Sequence, residues 1–169
     1  MDPKFIIQKL NLEPLKNEGG YFYQTYRSSQ IIKKEFLAND YSHDKILKTA
    51  IYYLLTNNTK SRLHRLKTDE IYHFYSGDPV LMLLIYPNGK LKKIILGNRL
   101  DKNEIPQFTV PAHTLQGSML LPQGRYALMG TTMSPGFDFS DYEEPDKAAL
   151  LKKYPMEKEL ISKLTADAD

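Results

Sequence analysis

The 169-residue chain has no cysteine, which excludes disulfide bridges and thiolate ligands to a metal. It has no tryptophan and only four histidines, so imidazole, the side chain best suited to proton transfer near neutral pH, is scarce. No apolar run reaches the length a bilayer needs, and no basic segment leads into a hydrophobic one. Neither a membrane span nor a signal peptide is therefore expected, and the cytoplasm is the expected compartment. A net charge of +3 is too small to imply nucleic-acid binding, and no basic face interleaved with aromatics is evident.

Ordinary globular material remains: 41% hydrophobic and 25% charged residues over a length that suits one domain, expected to span residues 1–169. The charge is uneven. Residues 138–169 hold nine acidic and five basic residues, so the rest of the chain is the more basic part. That is the behaviour of a solvated acidic helix on a mildly basic body, or of a pocket that prefers anions such as phosphorylated or carboxylated sugars.

Asp2 before Pro3 reads as an N-cap and first turn, predicting a short N-terminal helix. After the Gly19-Gly20 break, Tyr21 to Tyr26 alternates as a β-rich strand, and residues 29–48 read as strand remnants and a polar loop. Thr49 to Thr56 predicts an apolar, aromatic strand. Val80 to Tyr86 is nearly continuous in apolar residues, as in a strand covered on both faces. Pro87-Asn88-Gly89 predicts the hairpin turn to Lys90–Leu96. Further strands are expected at 106–110, 118–121 and 125–133. Short strands with Pro and Gly punctuation and no helices between them predict an antiparallel β fold, closed or sandwiched. Lys147 to Tyr154 and Met156 to Leu164 predict two C-terminal helices, the second with Leu160, Ile161 and Leu164 on one face.

The ionisable groups gather in Ser61–Gly77, which holds His64, Glu70 and His73 between two β-like runs. A histidine ending one strand and a carboxylate opening the next predicts His64 and Glu70 facing each other across a hairpin. Alternation would carry Tyr72 and Phe74 to the same side as Glu70 and turn His73 to the other, unless a bulge shifts the register.

His64, Glu70 and Gly77 resemble the first motif of the cupin superfamily, with Leu66 where a second histidine would stand. Pro111-Ala-His-Thr-Leu-Gln-Gly117 resembles the second motif, with Gln116 in place of its metal-binding histidine. Glu18 to Phe22 (Glu-Gly-Gly-Tyr-Phe), His64 to Leu66 ahead of Asp69-Glu70, and Pro135-Gly-Phe137 resemble the uncharacterised cupin-5 family over roughly residues 5–165. The resemblance implies an all-β jelly-roll barrel with short terminal helices. It brings His64, Glu70 and Gln116 together inside the barrel, with Tyr72 lining the same cavity. Two strong ligands and one weak neutral one make a required metal unexpected, although a divalent ion would use His64, Glu70 and Gln116.

His113 reads as a surface turn residue, where cupins commonly have glycine, or as an extra proton-transfer group near Gln116. Arg27 reads as a strand salt bridge or, by similarity to the deoxysugar-nucleotide epimerase cupins, as an anion-binding residue on a strand exchanged between subunits. Two functions follow. One is a metal-independent sugar isomerase or epimerase with His64 as base, Glu70 tuning it and Tyr72 as proton donor, and with Arg27, His73, Phe74, His113 and Gln116 around the ligand. The other is a non-catalytic pocket for a sugar, nucleotide or metabolite. A metal-dependent oxygenase is the less favoured third. A homodimer formed by pairing or exchange of the N-terminal strand is expected.

Overall fold

The computed structural model describes residues 1–165; the last acidic residues of the 138–169 stretch lie outside them. Helix α1 (Pro3–Lys9) starts as expected, with the Asp2 side chain accepting from the Lys4 N–H at 2.9 Å. Twelve strands follow: β1 (Glu13–Pro14), β2 (Tyr21–Arg27), β3 (Ile31–Ile32), β4 (Lys45–Ile46), β5 (Thr49–Thr56), β6 (Ser61–His64), β7 (Glu70–Gly77), β8 (Val80–Ile85), β9 (Leu91–Leu96), β10 (Gln107–Val110), β11 (Leu115–Leu120) and β12 (Tyr126–Met133). Helices α2 (Lys147–Lys153) and α3 (Lys158–Leu164) end the described chain.

The strands form a six-stranded sheet, ordered β1-β2-β5-β12-β7-β10, and a four-stranded sheet, ordered β6-β11-β8-β9; β3 and β4 pair as a short ribbon. Pairing in both large sheets is antiparallel. Their inner faces share one core, in which Tyr53, Leu55, Tyr72, Phe74 and Met129 of the first sheet meet Val80, Met82, Leu84, Ile94 and Leu96 of the second. This is the arrangement of two facing antiparallel sheets expected of a jelly roll. The apolar run of β8 is covered twice: Val80, Met82 and Leu84 belong to that core, while Leu83 and Ile85 pack with Leu150, Ile161 and Leu164 of α2 and α3. The Asn88-Gly89 turn closes β8 onto β9 with Gly89 at φ 81°.

One expectation is corrected. β6 and β7 are not a hairpin. β6 pairs with β11 in the smaller sheet, and β7 lies between β12 and β10 in the larger one. After His64 the chain instead bridges to a distant segment, Arg65 and Glu143 exchanging both backbone hydrogen bonds. It then crosses to the opposite sheet before Glu70. His64 and Glu70 therefore approach each other from facing sheets. Strand β11 also begins earlier than expected, at Leu115, which puts Gln116 inside a strand paired with both His64 and Leu84.

Candidate functional site

Glu70 opens β7 on its inward face, is nearly buried, and accepts a hydrogen bond from the Gln116 amide at 2.6 Å. The same amide nitrogen lies 3.5 Å from His64 Nε2. The structure thus brings His64, Glu70 and Gln116 together. His64 is fully buried, and its Nδ1 lies 2.7 Å from the Arg62 carbonyl oxygen. A carbonyl only accepts, so Nδ1 carries the proton and Nε2 faces the cluster. The Tyr142 ring stacks on the imidazole, with centroids 5.1 Å apart and planes at 18°, fixing its orientation from the other side.

A second carboxylate completes the cluster. Glu18 Oε2 stands 3.9 Å from His64 Nε2, and its other oxygen accepts from the Ser61 hydroxyl at 2.9 Å. The double glycine makes this possible. At φ 97° Gly19 is in the left-handed region, and a Cβ there would lie 2.2 Å from the Lys60 carbonyl oxygen. The backbone closes onto β6, with the Arg62 N–H donating to the Glu18 carbonyl at 2.7 Å. Burial raises the Glu70 carboxyl to about 6, and the negative charge of Glu18 pushes the same way; His64 and hydrogen bonds from Gln116 and Thr131 pull it back only in part.

Glu18 and Glu70 both line a cavity of about 370 Å³ whose walls include Leu15, Phe22, Ile51, Leu66 and Met133. Gly136 to Phe139 form one side of it. Gly136 sits so close to β5 that a Cβ would be 2.7 Å from Thr49 Cγ2, and the Phe137 N–H donates to the Thr49 hydroxyl at 2.9 Å. Phe137 and Phe139 meet edge to face, and both line the cavity. Beneath them the buried Lys45 ammonium holds Asp138 at 3.2 Å and Asp141 at 2.8 Å. Burial alone would raise the Asp138 carboxyl, but the Ser140 N–H and hydroxyl, His43 and Lys45 hold it well below the usual carboxylate range.

The remaining candidates are placed as follows. His64 and Gln116 are not on the cavity wall; they meet the carboxylates from behind. Tyr72 and Phe74 are buried in the core and also stand off the wall, although burial and the charge of Glu70 push the Tyr72 hydroxyl well up. His73 faces the outside of the sheet, 3.2 Å from the Thr132 hydroxyl. His113 adopts φ 62°, the backbone for which glycine is usual, and its exposed ring pairs with Asp40 at 3.3 Å on the outer surface. Arg27 lines this chain's own cavity. Glu18, Tyr142 and the two phenylalanines were not singled out from sequence as site residues; the double glycine after Glu18 was the available signal.

As placed, Gln116 serves this cluster as a hydrogen-bond donor and not as a ligand. Gln116 presents its NH₂, not its oxygen, to Glu70 and His64, while its buried Oε1 has no partner. Among the described residues no group of three or more His, Cys, Asp or Glu side chains is arranged to hold a metal ion. No described helix is long and apolar enough to cross a membrane.

A family model described as "Cupin superfamily (DUF985)" matches residues 4–144. The uncharacterized protein YML079W of Saccharomyces cerevisiae is 31% identical over 133 residues, 74% of this chain and 66% of that protein, so the chain spans about two thirds of its length. The crystal structure of protein SO0799 from Shewanella oneidensis is 35% identical, with a TM-score of 0.84 over 99% of both chains. Bacillus subtilis oxalate decarboxylase, described with Mn(II) centres, is 16% identical, with a TM-score of 0.52 over 94% of this chain and 39% of that one. This last likeness is one of fold alone.

Proposed function

The chain belongs to the Cupin_5 family of the cupin superfamily, and from that footing we propose that it is a small-molecule cavity protein in which Glu70 transfers protons. The observation that carries this reading is a buried carboxyl, raised to about 6, on the wall of a cavity of small-molecule size. Such a group has both protonation states available near neutral pH, as a general acid or base requires. The chemistry that fits is proton abstraction next to a carbonyl, as in isomerisation or epimerisation of a carbohydrate-like substrate. Glu70 takes the role of base. His64 and Gln116 position it from behind, and Glu18, held by Ser61, supplies a second carboxyl on the same wall.

The test is proton exchange into heavy water from a panel of ketosugars. Exchange is expected with the wild type and is expected to fall at least about a hundredfold in Glu70→Gln. Exchange unaffected by Glu70→Gln would remove the proton-transfer role.

A second reading, a non-catalytic pocket for a sugar, nucleotide or metabolite, is favoured by the mostly apolar wall and by the position of Tyr72 off it. Binding of a ketosugar with no exchange would select it. We also propose that the chain works as a homodimer through β2.

A further inference from the structure

The register of the larger sheet sets a single row across the cavity. Arg27 of β2 pairs with Thr49 of β5, Thr49 with Met133 of β12, and Met133 with Glu70 of β7. All four residues line the cavity. Arg27 and Glu70 are thus three strand spacings apart, about 14 Å between backbones, with a methionine and a threonine between them.

The charges along this row are unequally satisfied. Asp138 pairs with the Lys45 ammonium and is contacted by the His43 ring, and Lys45 is also held by Asp141. Arg27, although on the cavity wall, makes no ion pair or side-chain hydrogen bond among the described residues. At the opposite end Glu18 and Glu70 stand together, and the side-chain contacts they make among the described residues include His64 and the neutral donors Ser61 and Gln116. The cavity therefore has an unpaired cation at one end, two carboxylates at the other, and apolar walls between.

We infer that the cavity takes a small organic acid, a carboxylate or phosphate monoester, that carries a proton-donating hydroxyl or ammonium group at its other end. The acid lies on the Arg27 guanidinium, whose planar fork matches either anion. The donor group lies against Glu18 and Glu70. The separation along the row keeps the ligand's anion away from these carboxylates, which would otherwise repel it. The apolar body packs against Phe22, Phe137 and Met133. This rests on the same cavity as the proton-transfer reading and shares Glu70 with it, but it adds Arg27 as the anion site and requires no reaction.

The experiment is calorimetric or ligand-observed NMR titration of the full chain with four probes. These are para-hydroxyphenylacetate, which has both poles; its amide, which lacks the anion; phenylacetate, which lacks the donor; and phenyl phosphate, which replaces the carboxylate. The acid is expected to bind about tenfold or more tightly than its amide. That preference is expected to vanish in Arg27→Gln and to persist in Glu70→Gln, whereas the gain from the para-hydroxyl is expected to vanish in Glu70→Gln. Phenyl phosphate binding more tightly than phenylacetate would assign the anion as phosphate, and the reverse order as carboxylate. Equal binding of acid and amide, an acid preference that survives Arg27→Gln, or no binding by any probe would overturn the inference. Arg27 is exposed and unpaired, so Arg27→Gln is expected to keep the wild-type melting temperature. Loss of proton exchange in Glu70→Gln with the acid preference intact bears on the proton-transfer reading alone.

Discussion

Glu70 stands in an environment that disfavours its own charge: burial and the neighbouring Glu18 raise its carboxyl from 4.5 to about 6. Because the folded-state value lies above the unfolded one, the native state holds this proton more tightly. The stabilisation that Glu70 contributes is complete below pH 4.5 and is lost as the pH climbs through 6. Glu70→Gln removes the titration but keeps an oxygen to accept from Gln116. Between about pH 4 and pH 7 the variant is therefore expected to gain about 2 kcal/mol relative to the wild type, measured by urea unfolding at matched pH values. Parallel stability curves for the two proteins would show that Glu70 titrates normally. The identity of this residue was legible in the sequence; its role relative to His64 was not. Both were expected inside the barrel, and both are there. Which of two adjacent buried groups reaches the cavity depends on the spacing between facing sheets, and no local pattern encodes that spacing.

At the scale of elements, turns and faces were the legible part. Asn88-Gly89 names its own turn geometry, Asp2-Pro3 its helix start, and the apolar run of β8 its double coverage, because each follows from backbone preference or side-chain periodicity. Strand partnership was not legible. The alternation of β6 and β7 is the same whether they pair with each other or lie in different sheets. The pairing is decided by β11 and by the bridge from Arg65 to Glu143, each far along the chain. Glu18 was missed for the same reason, since its place comes from the approach of Lys60, distant in sequence, to a glycine backbone. That contact is testable. Gly19→Ala introduces a Cβ against a carbonyl oxygen at a left-handed φ, and the loop must move. A loss of roughly 2–4 kcal/mol in denaturant unfolding is expected, with the Glu18 end of the cavity displaced. A variant as stable as the wild type would mean that the chain accommodates the side chain and that the double glycine is not what brings Glu18 to the site.

For the whole molecule the unresolved quantity is what covers β2. The sequence carries aromatics on both faces of this strand, and the fold accounts for two of the four. Phe22 lines the cavity, and Tyr21 packs with the cluster under α1. Tyr23 and Tyr26 remain 45% and 51% exposed. Tyr75, 48% exposed, packs edge to face on Tyr52, which pairs with Tyr23 in the sheet. The backbone is equally uncovered, because β1 pairs only with Tyr21 and Phe22, leaving the outer edge from Tyr23 to Arg27 without a strand partner among the described residues. An uncovered edge flanked by exposed aromatics is where two copies gain most by meeting, since backbone pairing and apolar burial are satisfied together. In such a dimer the strand that carries Arg27 is ordered by the neighbouring copy while its guanidinium stays in its own cavity. Association and acid binding are then coupled through one strand. Light scattering is expected to give twice the 19.5 kDa subunit mass at micromolar concentration. Tyr23→Lys is expected to shift the population toward monomer by placing like charges across the interface, and to weaken acid binding with it. A monomer in the wild type would refute the dimer. A dimer indifferent to Tyr23→Lys would move the interface away from β2 and leave Arg27 acting without the second copy.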